Sequence, residues 1–380
     1  MSLILPYFFA FTIYGVASPY LSVLIRGLGY SPTVVGLLLG LFEVAGIGGP
    51  FLLGHLSDRL GRSRPSLAIA FVLILLSLFP LLYFHSIFVT LISLIVMAVG
   101  LRSIIPLMDA TATLTLSGAA PYGKVRSAGS ASFVIMSLLL QVIPFMVPNT
   151  PVHIGFWIGL MTLFSLATLI VFPHTPKNRS RGPLTSGNRK TTYRWSPVFI
   201  VGLVMIGLGR LAMAPITSFF SLYVVEALHW NAVGLMWAIS ATSEIPFIFF
   251  SGPLIRRFGA PRLLAFSMVA ISVRLALYAL FPTPLGAVVG QTLHSLCFGL
   301  FHPAAVAFVA THVPPERRAV GMSLYLSLGV GLPTFLGSAV GGLVVDLGGY
   351  RLLFGSFITF ALAGLALYGM IRHSLNAPAT

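Results

Sequence analysis

Acidic side chains are scarce in this 380-residue chain: 7 Asp+Glu stand against 22 Lys+Arg, and charged residues of both signs make up only 8%. A soluble domain carries about 25% charged residues, so this chain cannot cover a water-facing surface. With 57% hydrophobic residues, lipid must be the solvent for most of it. Cys297 is the only cysteine, which excludes an internal disulfide or a thiolate cluster. Neither G-x-S-x-G nor H-E-x-x-H occurs, so nothing points to a nucleophile elbow or a zinc helix, and no enzyme, metal or cofactor is expected. No cation precedes the first apolar run, Arg26 being the first. The N-terminus is therefore read as a spanning helix and not as a cleavable signal peptide.

What is present is a series of apolar segments, each long enough to cross the ~30 Å hydrocarbon core at 1.5 Å per residue. Twelve helices are expected, near 3–25, 33–56, 66–84, 87–116, 122–147, 153–172, 197–225, 232–255, 262–281, 285–312, 319–345 and 351–371. The stretch Pro173 to Ser196 breaks the series with Lys177, Arg179, Arg181, Arg189, Lys190 and Arg194 among Pro, Ser, Thr and Asn. Its polarity forbids burial in lipid. It is read as a cytoplasmic linker (173–196) joining a six-helix bundle at 1–172 to a second at 197–380.

The net charge of +15 would suggest nucleic acid in a soluble protein. Here the cations sit in short loops, and the positive-inside rule explains them better. Sixteen fall on one side, including Arg59, Arg62, Arg64, Lys124, the six linker cations, Arg256 and Arg257. Only Arg26 and Arg351 fall on the other. Both termini are expected on the cytoplasmic side of a cell inner membrane, with the lipid bilayer and no nucleic acid as partner. The two parts also repeat. Gly54-His-Leu-Ser-Asp58-Arg59-Leu-Gly61-Arg62 follows the second helix, and Gly252-Pro-Leu-Ile-Arg256-Arg257-Phe-Gly259 follows the eighth. Paired repeats are a common construction of secondary transporters.

The first copy resembles the G-x3-D-R-x-G-R signature of the major facilitator superfamily. The resemblance implies an all-α membrane protein of the major facilitator fold, with twelve transmembrane helices in two pseudo-symmetric bundles. It implies a gating role for Gly54, Asp58, Arg59, Gly61 and Arg62. The glycines would permit a tight turn, and Asp58 would cap a helix end and pair with arginines. The second copy departs from the pattern, with Arg256 at the position of Asp58.

An ionisable side chain within the bilayer costs a few kcal/mol, so by default it marks function. Glu43, Arg102, Asp109, Arg126, Arg210, Glu244 and Arg274 qualify, with His294 and His302 as further titratable groups. Asp109 and Arg126 are equidistant from the turn at Ser117 and Gly118, each ~12 Å along its helix. Glu244 and Arg274 are symmetric about Gly259, and Arg274 and His294 about Pro284. Each pair is open to two readings, a functional site or a salt bridge that only pins two helices. His302 precedes Pro303, which frees a backbone carbonyl, and a local hydrogen bond is expected there. Four arginines face three carboxylates, leaving one cation unmatched, which suggests an anionic solute.

The strings Pro106-Leu-Met-Asp109-Ala and Tyr122-Gly-Lys-Val-Arg126-Ser-Ala-Gly129 resemble the lactose permease family, and more closely its 3-phenylpropionate permease branch. The resemblance implies substrate contacts at Asp109 and Arg126, with Arg126 the main one, and an aromatic platform at Phe133. Arg210 and Glu244 complete the expected substrate-binding set. Glu244, Arg274 and Gln291-Thr-Leu-His294 resemble the eighth to tenth helices of that family, which implies a substrate contact at Glu244 and proton coupling through Arg274 and His294; the proton itself is expected on Glu244, His294, Asp109 or Glu43. Cys297 stands where the family has a proton-carrying glutamate, and a thiol cannot replace that carboxylate. The expectation is a monomeric secondary transporter of a small organic, aromatic carboxylate, working by proton symport. A sugar or nucleoside symporter and a drug exporter are the alternatives.

Overall fold

The structure, a computed structural model, describes residues 3–84, 86–116, 119–173 and 195–375. Residues 174–194, most of the expected linker, lie outside the described residues, as do Ser117 and Gly118. Among the described residues the chain forms helices and no strand. The first ten spans are α1 (Ile4–Gly27), α2 (Pro32–Leu60), α3 (Ser63–Tyr83), α4 (Ile87–Thr115), α5 (Ala119–Val142), α6 (Pro151–Thr168), α7 (Pro197–Ala227), α8 (Val233–Phe258), α9 (Ala260–Leu280) and α10 (Pro284–His312).

An eleventh stretch, Val320–Arg372, covers 53 residues. Straight, it would reach ~80 Å, far beyond the ~30 Å hydrocarbon core. It breaks at Gly348 and Gly349, where Gly349 takes φ +71. A Cβ on Gly341 would lie 3.2 Å from Leu353, whereas twelve residues of straight helix span ~18 Å. The chain therefore folds back, and its limbs are numbered α11 (320–347) and α12 (350–372). Eleven candidate spans are thus present among the described residues, and the last of them is two helices joined at a glycine pair.

Local chemistry fixes several helix starts. α2, α6 and α10 each open with a Ser or Thr cap and a proline in the first turn. Ser31 accepts from the Val34 N–H, Thr150 from His153 and Thr283 from Gly286. The cap satisfies a donor that the helix leaves orphaned, and proline takes a position that needs none. α5 starts and ends earlier than the sequence pattern suggests. It begins at Ala119 and stops at Val142, just before Pro144, which cannot continue it.

The repeated loop motif also differs from expectation. Gly54 and Asp58 lie inside α2, and a Cβ on Gly54 would meet open space. Only Gly61 makes the turn, with φ +62, and its N–H bonds the Asp58 carbonyl at 3.2 Å. Asp58, Arg59 and Arg62 are exposed, and the Asp58 carboxylate has no ion pair among the described residues. The turn needs the left-handed conformation, not the aspartate side chain. The second copy turns at Gly259, which also has positive φ.

The first six and last six helices meet closely at the end that carries Arg26. A Cβ on Gly36 would fall 2.2 Å from the Ser338 carbonyl oxygen, and one on Gly234 2.2 Å from that of Ser137. Only glycine lets α2 approach α11 and α8 approach α5 at these points. Polar ties reinforce the contact. Arg26 Nε donates to Glu226 at 2.7 Å, Tyr350 donates to the same carboxylate, and the Thr33 N–H reaches Asp346 at 2.9 Å. At the opposite end, Pro121, Lys124, Arg256 and Arg257 on the facing helices are exposed.

Candidate functional site

Between the first six and last six helices lies a cavity of about 420 Å³. Its walls draw on both groups: Glu43 from α2, Arg102 from α4, Phe133 from α5, Arg210 from α7, Trp237 from α8, Arg274 from α9 and His294 from α10. Six of the residues singled out in the sequence therefore share one space: Glu43, Arg102, Phe133, Arg210, Arg274 and His294. Asp109, Arg126 and Glu244 do not line it.

Asp109 and Arg126 do meet across the α4–α5 hairpin, at 3.4 Å. That is longer than the 2.7–2.9 Å of a tight charge-assisted bond, and both side chains are partly exposed (28% and 37%). Tyr7 from α1 holds the acid more firmly, donating to Asp109 at 2.7 Å. The Arg126 guanidinium lies 5.1 Å over the Phe11 ring. Phe133 is two helical turns beyond Arg126, which puts the pair ~10 Å along α5 from the cavity wall, toward the Asp58 end.

In the last six helices the expected Glu244–Arg274 pair is not direct. Arg274, fully buried, donates from Nε to Tyr278 Oη at 2.9 Å and from Nη2 to Gln291 Oε1. Its Nη1 lies 3.0 Å from His294 Nδ1, and His294 Nε2 lies 3.6 Å from Glu244 Oε2. Arginine has no acceptor, so Nδ1 must accept from it, and the ring proton is assigned to Nε2, facing the carboxylate. The sequence places acid, imidazole and guanidinium at one depth; the structure sets the imidazole between the other two. Cys297 is buried in a π-helical turn, Ser295–Gly299, directly after His294, and does not line the cavity.

The remaining charges also find places. Glu43 pairs with Arg102 across α2 and α4, so this expected proton carrier is held by a guanidinium at the cavity wall. Arg210 lies 5.7 Å over the Phe298 ring. His302 does not bond a local carbonyl as expected. Its Nδ1 stands 2.9 Å from Tyr325 Oη, because α11 brings that hydroxyl within reach. Tyr7, Tyr278, Gln291, Tyr325 and the tie of Arg26 with Glu226 have no expected role in the sequence reading. Gln291 is visible there only as part of the string ending in His294, and hydroxyls on distant helices leave no local signal. Asp346 does leave one, as the acid nearest in sequence to Arg351, one of the two cations at the Arg26 end.

Residues 1–356 match the MFS_1 like family. The chain belongs to this family. It is a multi-pass membrane transporter of the major facilitator type, not an enzyme. It is 28% identical over 327 residues to the probable 3-phenylpropionic acid transporter of Escherichia coli (strain K12), covering 83% of each chain. It is 26% identical over 351 residues to the maltose permease of Geobacillus stearothermophilus, covering 90% of this chain and 86% of that one. Among solved structures, a mutant form of the nucleoside transporter NupG superposes with a TM-score of 0.83 at 18% identity, over 97% of this chain and 98% of that one. This likeness concerns the fold.

Proposed function

We propose that this transporter moves a small organic acid, preferably one with an aromatic ring, together with a proton. The observation that carries the reading is the Glu244–His294–Arg274 chain at the cavity wall. Arg274 fixes one ring nitrogen of His294 as an acceptor, so a proton can only be exchanged on the side of Nε2 and Glu244. Protonating Glu244 removes the attraction that holds the ring, and the change is felt directly in the cavity that His294 lines. A titratable contact of this kind can make solute affinity and protonation depend on each other, which is the thermodynamic content of coupling.

Aromatic side chains favour the acid reading. Phe133, Trp237 and Phe298 line the cavity with Tyr14 and Phe42, and rings stack on rings at 4.5–7 Å between centroids. The relative from Escherichia coli whose name specifies 3-phenylpropionic acid supports the same class. In this proposal Asp109 and Arg126 contact the solute as it passes between the cavity and the Asp58 end, which the positive-inside count assigns to the cytoplasm. Residues 1–172 and 197–380 then act as the two bodies that rock about the site. The maltose permease relative keeps a sugar as the second reading.

Purified protein in liposomes under an imposed proton gradient tests both parts. Labelled 3-phenylpropionate should accumulate, and a protonophore should abolish the accumulation. Accumulation indifferent to the protonophore would remove proton coupling. Uptake of maltose or uridine in preference to every aromatic acid would remove the substrate class.

A further inference from the structure

The four arginines within the membrane outnumber the three carboxylates there by one, and only the tertiary structure says which is left over. Arg102 is matched by Glu43 and Arg126 by Asp109. Arg274 is linked to Glu244 through the His294 ring. Arg210 has no carboxylate partner among the described residues. Its guanidinium lies over Phe298, and its Nε is buried with no hydrogen-bond acceptor. A ring face attracts a cation more weakly than an anion does once water is displaced. Arg210 is therefore the unbalanced charge of the cavity, and part of its donor set is unused.

Its setting fits a receptor for a planar anion. Arg210, Met213 and Thr217 follow one another at three- and four-residue spacing, so they share a face of α7, and all three line the cavity. Phe298 supports the guanidinium from α10, while Trp237 is held on α8 by a 2.9 Å bond from its Nε1 to Ser221 Oγ. Guanidinium offers two parallel N–H groups to a carboxylate, a geometry an ammonium cannot reproduce.

We infer that Arg210 is the anchor for the carboxylate of the transported acid, received at the guanidinium edge with the apolar body against the aromatic wall. This rests on the acid-transporter reading and deepens it, since the sequence pattern alone favours Arg126 as the main contact. Calorimetry on the full-length protein in detergent tests it with phenyl-substituted monocarboxylates from benzoate to 4-phenylbutyrate, each beside its primary amide. In the parent protein the best acid should bind at least about tenfold more tightly than its amide. Arg210→Gln should bring that ratio to about one by weakening the acid alone. Arg210→Lys, which keeps the charge and guards against a folding failure in the first variant, should weaken the acid by about tenfold. An undiminished acid preference in both variants would overturn the assignment, as would its loss in Arg126→Lys with Arg210→Lys unaffected. If no acid outbinds its amide in the parent protein, the acid-transporter reading itself fails and the anchor falls with it.

Discussion

The Asp109–Arg126 pair of the first six helices and the Glu244–Arg274 pair of the last six differ in what stands between acid and base. Asp109 meets Arg126 directly, if loosely, at 3.4 Å, and a tyrosine hydroxyl holds the acid. Glu244 reaches Arg274 only through the ring of His294. A direct pair neutralises itself and has no part that must change protonation. An interposed imidazole has two nitrogens with different partners, and altering one partner redirects the ring. The first arrangement suits a site that greets or orients a solute; the second suits a site that responds to a proton.

The sharpest way to break this contrast is to make the relayed carboxylate permanently neutral. Glu244→Gln should retain solute binding and solute exchange across liposomes yet fail to accumulate solute on a proton gradient. If uptake driven by the gradient is undiminished, the relay is not the coupling element and the two pairs are alike. The direct pair should give smaller effects, read in binding. Arg126→Lys is expected to weaken solute binding by about three- to fivefold, and Asp109→Asn by about twofold, since a partly exposed pair contributes only ~0.2–1 kcal/mol. Neither should uncouple transport. Loss of accumulation with intact binding in Asp109→Asn would move the proton site into the first six helices.

A further comparison sets the two ends of the molecule against each other. At the Arg26 end, Glu226 accepts from both Arg26 and Tyr350 and so ties α1, α7 and α12 together. Glu226→Gln should favour opening there by about 1 kcal/mol, roughly a fivefold shift in the ratio of the two states. Labelling of single cysteines near Thr33, in a Cys297→Ala background, would report it as faster modification. At the Asp58 end the acid is exposed and has no ion pair among the described residues. Asp58→Ala should therefore leave this state and solute affinity unchanged and slow turnover by about twofold, through the closed state in which its proposed pairing forms. A tenfold loss of affinity would show that Asp58 acts on the solute site instead.

Composition and spacing were enough to determine that the chain lives in lipid, that it is helical, and where most spans begin and end. Few charges and long apolar runs leave a chain no other way to satisfy its backbone. The level of Asp109 with Arg126 was legible as well, because a hairpin of two helices fixes depth by counting residues from the turn. Helix rotation was not legible. Counting gives depth along an axis but not the direction a side chain takes around it, so the insertion of His294 between Glu244 and Arg274 had to come from packing. The same is true of the bond between His302 and Tyr325, whose partner lies on another helix, and of the tie between Arg26 and Glu226, two hundred residues apart. Sequence alone counted one cation too many within the membrane. Which one it is, Arg210, was decided only when the other three found their partners across helices, because a charge balance is a sum over the chain but an ion pair is a distance in space.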